Sequence, residues 1–289
     1  MFRRFFLATV TSCRGMRAAV YPKLIADRKA WHTQWLGIVG TLALTPISGR
    51  SAVDLHKQKE QVGAAAVDYV ERLYPDRLKL GIGTGSTAEC FIRGLARLKS
   101  RIEVTVASSA RSEALLKELG IPVVDLNHVE SLDVYVDGAD EINDNLQMIK
   151  GGGAALTREK IVAAASERFV CIADETKLVR TLGSYPVPVE VIPMARSLVA
   201  RALADLNAQP VWREGVTTDN GNWILDVHGL SVDFPETLEK RIETIPGVVC
   251  CGIFAHNAAS LALLAVGDEV RRLERTDKPD EHEVAQRAP

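Results

Sequence analysis

Leu78-Lys79-Leu80-Gly81-Ile82-Gly83-Thr84-Gly85-Ser86-Thr87 is the stretch that decides the fold. Leu78 to Ile82 reads as a short apolar strand and Gly83 to Thr87 as a glycine-hydroxyl turn. Ala88 to Lys99 then reads as a helix with Phe91, Ile92, Leu95 and Leu98 on one face. Strand, turn and helix in that order place backbone N–H groups and a helix N-terminus around an anion. The turn is not a dinucleotide fingerprint, because Ser86 and Ala88 stand where G-x-G-x-x-G needs glycine. It is not a Walker A loop either, because Gly-Lys followed by Ser or Thr is absent. What remains is a small phosphate cup with hydroxyls from Thr84, Ser86 and Thr87, weighed against a plain tight turn.

The same alternation continues on both sides. Ala52 to Arg72 reads as an amphipathic helix, Glu103 to Ala107 as a strand, and Ser112 to Leu119 as a helix closed by Gly120. Pro122 to Leu126 and Leu132 to Val136 read as strands, Arg158 to Glu167 as a helix capped by Thr157, and Arg168 to Ala173 as another strand. Repeated β-α-β units with continuous apolar strands define an α/β fold, a Rossmann-like mainly parallel sheet covered by helices. Ligands in such sheets sit beyond the carboxyl ends of the strands. Gly83 to Thr87, Asp137 to Glu141 and Asp174 to Lys177 each follow a strand and are expected on one rim.

After Leu182 the pattern becomes strand Val187–Ile192, helix Arg196–Leu206, strand Pro210–Arg213, strand Trp223–Val227, helix Glu236–Ile245 and strand Val248–Phe254. Asp219-Asn220-Gly221-Asn222 carries a hairpin signal. This β-α-β-β-α-β order predicts a smaller ferredoxin-like α+β domain over 186–256. The α/β catalytic domain is expected over 51–185 plus 257–267, with the apolar run Ala258 to Val266 returning to it. Residues 268–289 read as a charged, frayed tail.

The first 50 residues form an extension, expected to be poorly ordered or targeting. Five basic residues precede its first acid, Asp27, and such an Arg-rich, acid-poor start resembles an organellar transit peptide. The apolar run Trp35 to Leu44 is shorter than the roughly 20 residues a spanning helix needs. A formal net charge of −2 argues against a general nucleic-acid binder. Cys13, Cys90, Cys171, Cys250 and Cys251 are odd in number and scattered, which fits a reducing compartment, with no CxxC pair to suggest a metal or redox couple. Each reads as a small buried apolar residue. A cytoplasmic location is expected, or an organellar one if the extension is a transit peptide.

Chemistry concentrates in the middle of the chain. Val134-Tyr135-Val136-Asp137-Gly138-Ala139-Asp140-Glu141 is followed by Lys150-Gly151-Gly152-Gly153 and Thr157-Arg158-Glu159-Lys160. A phosphate cup beside carboxylates Asp137, Asp140 and Glu159 and ammonium groups Lys150 and Lys177 suits a phosphorylated sugar. Moving its carbonyl between adjacent carbons needs a base for the carbon proton and a positive group for the enediolate oxygen. Glu159 fits the base and Lys150 the oxygen clamp, with no metal and no organic cofactor needed. The plainer alternatives are turn formation for Asp137 and Asp140, a dipole-favoured helix start for Glu159, a solvated Lys177, and structural histidines at His228 and His256.

Together with Pro188-Val189-Glu190-Val191-Ile192-Pro193, these motifs closely resemble ribose-5-phosphate isomerase of type A over about residues 55–266. The resemblance implies an aldose–ketose isomerase interconverting ribose 5-phosphate and ribulose 5-phosphate through an enediol, in the non-oxidative branch of the pentose phosphate pathway. It implies substrate binding by Thr84, Gly85, Ser86, Thr87, Asp137, Gly138, Ala139, Asp140, Lys150, Gly151, Gly152, Gly153 and Lys177. It makes Glu159 the proton acceptor and gives Asp137 a part in opening the furanose ring. Lys59 is the best match for the family's phosphate-side lysine on the first helix. Members are usually homodimers or homotetramers, and they lack a segment like Met1 to Arg50. Two rivals remain: a CoA transferase, which would use a glutamate nucleophile and need room for CoA, and a non-catalytic sugar-phosphate sensor, which would have no need of both Glu159 and Lys150.

Overall fold

Helix α1 (Ala52–Leu73) leads into β1 (Leu78–Ile82), α2 (Ser86–Gly94), β2 (Ile102–Ala107) and α3 (Ala110–Glu118). Then follow β3 (Val134–Asp137), β4 (Glu141–Ile142), β5 (Met148–Ile149), α4 (Leu156–Ala164) and β6 (Phe169–Asp174). The chain continues through β7 (Val187–Val191), α5 (Arg196–Ala204), β8 (Gln209–Trp212), β9 (Trp223–His228), α6 (Pro235–Glu243), β10 (Val248–Cys251), β11 (Ile253–Phe254), β12 (Leu261–Val266) and β13 (Glu269–Glu274). The structure is a computed structural model and describes residues 52–74 and 76–275. The expectations for residues 1–50 and for the end of the tail lie outside those residues.

The central sheet has the order β13-β12-β6-β3-β1-β2. Its neighbours are parallel from β2 through β12, and only β13 runs antiparallel at one edge. β3 and β6 are buried at every position, so both faces are covered and the strands read as unbroken apolar runs. On one face Val62, Ala66 and Val70 of α1 pack with Phe91 and Ile92 of α2 against Leu80, Ile82 and Val136. On the other, Leu156, Val162 and Ala163 of α4 pack against Tyr135, Phe169 and Cys171.

A four-stranded antiparallel sheet, β10-β7-β9-β8, carries the ferredoxin-like layer. Its own core contains Val187, Val189 and Val191 with Val199, Leu203 and Ile242. A small sheet, β11-β5-β4, completes the strands. It fixes the middle motif, because Asp140 N–H donates to Ile149 O at 2.8 Å and Lys150 N–H to Gly252 O at 2.9 Å.

Four expectations change. Pro122 to Leu126 is not a strand: Val123 makes one parallel bridge to Thr105, and Asp125 then caps a short 3₁₀ turn at Leu126–His128. Val248 to Phe254 divides at Gly252, whose N–H pairs with Pro188 O while its carbonyl takes Lys150 N–H, so the chain changes sheets there. A Cβ on Gly252 would lie 2.3 Å from Lys150 O, which restricts that position to glycine. α4 starts at Leu156 without a side-chain cap, and the Thr157 hydroxyl donates instead to Glu190 at 2.5 Å. Finally, Glu269–Glu274 is a paired edge strand rather than part of a frayed end, its exposed charges blunting the edge.

Candidate active site

β1, β3 and β6 are adjacent in the sheet, so the loops that follow them meet at one rim. There they enclose a cavity of about 200 Å³. Of the residues singled out from sequence, Lys59, Thr84, Gly85, Ser86, Thr87, Gly138, Ala139, Asp140, Lys150, Gly151, Gly152, Gly153, Glu159 and Lys177 all line it. Asp137 does not.

The cup is built by the start of α2. Gly85 precedes the helix at φ 103°, a left-handed region that favours glycine, and no side chain caps the helix end. Its first N–H groups therefore face the cavity as an anion site. Lys59 reaches across from α1 and its Nζ donates to Ser86 Oγ at 2.9 Å. Thr84 Oγ1 pairs with Ser108 Oγ at 2.8 Å, and Ser112 Oγ donates to Gly83 O at 2.6 Å. β2 and α3 thus hold the turn from behind.

Asp137 is wholly buried beneath this turn. Its Oδ1 accepts from Thr84 N at 2.9 Å and Gly138 N at 2.7 Å, and its Oδ2 from Tyr135 Oη at 2.5 Å and Lys150 Nζ at 2.7 Å. Both oxygens are committed within the protein, and Asp137 lies behind the cavity wall rather than on it. Gly83 is glycine because a Cβ there would lie 2.0 Å from Asp137 Oδ1.

Lys150, 3% exposed, also donates to Gly138 O at 2.6 Å and sits 3.3 Å from Glu159 Oε2. That last contact is an ion pair without hydrogen-bond alignment, so Glu159 Oε2 has no hydrogen-bond donor. The Phe254 ring supports the ammonium with its centroid 5.5 Å away. Burial opposes charge on Lys150, but Asp137 and then Glu159 outweigh it and hold the ammonium above its usual range. Burial is the largest effect on Glu159 and pushes it up to about 8; Lys150 opposes the rise and Asp137 adds to it. A carboxyl that titrates near neutrality beside a fixed ammonium is equipped to take a proton and return it.

Asp140 lies on the rim and accepts Gly152 N–H on Oδ2 at 2.8 Å. Lys177 closes the opposite side on the 3₁₀ turn after β6, whose Asp174 accepts from Thr176 N–H at 3.0 Å. His228 and His256 are exposed and do not line the cavity. Cys171, Cys250 and Cys251 are buried free thiols, as read, whereas Cys90 is only half-buried. Among the described residues no group of three His, Cys, Asp or Glu is placed to hold a metal ion, and no helix is long and apolar enough to cross a membrane.

Several participants were not singled out from sequence. Tyr135 looked like one more apolar strand residue, yet its hydroxyl meets Asp137; the alternation Tyr135, Asp137 on one strand face was the available signal. Asp174 ends β6 as Asp137 ends β3, and it lines the cavity. Glu190, inside a quoted motif but without a role, is fully buried. It accepts from Thr218, Asn220 and Asn222 on Oε1 and from Thr157 on Oε2, tying the start of α4 to the hairpin after β8.

An α/β scaffold with an unblocked anion cup, and a buried lysine–carboxylate pair a short way along the same rim, defines an enzyme that moves protons on a small anionic substrate. The model of the family "Ribose 5-phosphate isomerase A (phosphoriboisomerase A)" matches residues 104–269. Ribose-5-phosphate isomerase A of Bordetella bronchiseptica is 59% identical over 217 residues, covering 75% of this chain and 96% of the relative. The crystal structure of ribose 5 phosphate isomerase A from Neisseria gonorrhoeae superposes with a TM-score of 0.74 at 47% identity, covering 77% of this chain and 98% of that one. A D-ribose-5-phosphate isomerase in complex with phospho-erythronic acid gives a TM-score of 0.72 at 39% identity, covering 76% and 99%. The chain belongs to the ribose 5-phosphate isomerase A family.

Proposed function

We infer that this protein interconverts D-ribose 5-phosphate and D-ribulose 5-phosphate through an enediolate. The observation that carries the reading is the pair Lys150–Glu159, buried side by side and opening on the same cavity as the cup. The phosphate sits on the N-terminus of α2 with Lys59. Glu159 takes the proton from C2 of the open-chain aldose, and the C–H electron pair moves toward the carbonyl. Two of the Lys150 protons are committed to Asp137 and Gly138. The third meets the oxygen that becomes negative. Glu159 then returns the proton to C1 while the proton of the C2 hydroxyl passes to the negative oxygen on C1, and the ketose results.

Opening the furanose ring requires a carboxylate that faces the ligand, and Asp140 fits that task better than the enclosed Asp137. A phosphorylated sugar acid bound to a family member supports the enediolate, since its carboxylate has the same planar pair of oxygens. A cavity of about 200 Å³ is small against the roughly 300–1,000 Å³ of larger ligand pockets, which disfavours the CoA reading. Glu159→Gln should lower kcat by about 10²–10⁴-fold, the usual contribution of a positioned base, while a phospho-erythronate probe still binds. Full turnover of Glu159→Gln in a coupled ribulose 5-phosphate assay would refute the assignment.

The protein is further proposed to be a cytoplasmic homodimer or homotetramer. Ile192, Met194 and Leu198 are exposed apolar residues close together in sequence, the kind of grouping that marks an interface. A monomer in sedimentation velocity, or recovery with an organelle on fractionation, would overturn these two points.

A further inference from the structure

Arg213 stands at the end of β8, in the ferredoxin-like layer, outside the machinery described so far. Its Nε and Nη2 make a two-pronged pair with Asp226 on the neighbouring β9, at 2.8 and 2.5 Å. The fork is thereby locked in plane. The remaining Nη1 donates to two successive carbonyls of the cavity loop, Gly151 O at 3.0 Å and Gly152 O at 3.1 Å. No cis peptide interrupts the chain, so each of these peptides directs its N–H away from the guanidinium. The N–H of Gly152 accordingly meets Asp140 Oδ2 at 2.8 Å on the other side. The N–H of Gly153 is turned the same way, and Gly152, Gly153 and Asp140 all line the cavity.

The loop needs such a restraint. Gly151 has φ 106° and Ala154 φ 62°, a conformation side chains other than glycine rarely adopt. The glycines themselves offer no side chain to pack. Gly152 is hemmed in: a Cβ there would lie 2.7 Å from both Asp140 Oδ1 and Tyr185 Oη.

We propose that Arg213, held by Asp226, is a positioning residue for the isomerisation: by gripping the carbonyls of Gly151 and Gly152 it orients the N–H of Gly153 toward the oxygens of the bound sugar phosphate and, through the N–H of Gly152, holds Asp140 on the cavity rim. The ferredoxin-like layer thereby takes part in catalysis although none of its side chains touches the reacting atoms. The proposal rests on the isomerase reading, and wild-type turnover measured alongside separates the two: an inactive wild type defeats the reading, an active one leaves this inference to stand or fall alone.

The test compares Arg213→Ala, Arg213→Lys and Asp226→Asn in the full chain. Arg213→Ala should lower kcat by about 10–100-fold, raise the inhibition constant of phospho-erythronate, and recover at least several-fold in low millimolar guanidinium, which returns the fork but not the side chain. Arg213→Lys, with charge and no fork, should stay within a few-fold of the alanine variant, and Asp226→Asn should lie between it and wild type. Thermal melts identify a variant that merely fails to fold, and Arg213→Lys then carries the comparison. Wild-type kcat in Arg213→Lys, or a folded Arg213→Ala with lost activity that guanidinium does not restore, would overturn the proposal.

Discussion

Replacing Asp137 by Asn separates a residue that holds the machinery from one that touches substrate. Asparagine keeps an acceptor for the N–H groups of Thr84 and Gly138. It presents an NH₂, however, to Tyr135 Oη and Lys150 Nζ, which now find a donor where Oδ2 accepted at 2.5 and 2.7 Å. Asp137 is fully buried and Lys150 3% exposed, so water cannot substitute. Breaking a buried pair costs about 3–5 kcal/mol. Lys150 retains Gly138 O and can draw on Glu159 at 3.3 Å, which places the loss near the lower end, ~3 kcal/mol. At roughly 2–4 °C per kcal/mol for a domain of this size, Tm should fall by about 6–12 °C. The charge of Asp137 also helps keep Glu159 protonated. Its removal should therefore move the acid limb of kcat/KM to lower pH even as kcat falls. The assays are a thermal melt and a pH–rate profile with ribose 5-phosphate. A Tm within about 2 °C of wild type together with an unmoved acid limb would refute the account of Asp137 as the support of Lys150.

Wild-type kcat/KM should rise with pH up to about 8, far above an ordinary glutamate, because Glu159 must lose its proton to act. The same raised value has a stability consequence of definite sign. The folded chain holds that proton more tightly than the unfolded one, so its contribution is complete below pH 4.5 and is lost as pH rises through about 8. Urea melts of wild type minus Glu159→Gln should show that slope, and a flat difference would contradict it. Two glycines of one loop should answer differently to alanine. Gly83→Ala drives a Cβ into Asp137 and should abolish activity and lower Tm, whereas Gly85→Ala meets nothing within 4 Å and adds only backbone strain of about 1–2 kcal/mol. Equal effects of the two on turnover would show that the clash with Asp137 is not what matters.

Most of the scaffold was legible because its signals are local. The strands Leu78–Ile82 and Phe169–Asp174 are continuous apolar runs, and Gly120 at φ 65° closes its helix as read. The strand order of the smaller sheet follows from its β-α-β-β-α-β sequence. The rim was legible through topology: loops that each follow a parallel strand must open on one side. What escaped depends on distant partners. Thr157 looked like a cap and binds Glu190, 33 residues away, because a buried carboxylate offers a stronger bond than a helix end open to water. A substrate contact for Asp137 was implied by the family resemblance and not by any local signal. Only the positions of Tyr135, Thr84 and Lys150 around it reveal that it faces inward. Arg213 carried no signal of a link to the site, since the loop carbonyls it grips lie 61 and 62 residues earlier in the chain.

The place of β12 in the sheet bears on how the enzyme comes to exist in a cell. β12 and β13 come last among the described elements, yet β12 pairs directly with β6, the strand that ends in Asp174 and leads to Lys177 at the cavity. Until Leu261–Val266 arrives, the outer side of β6 has no hydrogen-bonding neighbour. A nascent chain halted before that point holds all the acidic and basic groups of the site and an open strand edge besides, an aggregation-prone state. Activity is thus tied to the arrival of Leu261–Val266, and nonsense truncations before it that spare every catalytic side chain should still yield no isomerase.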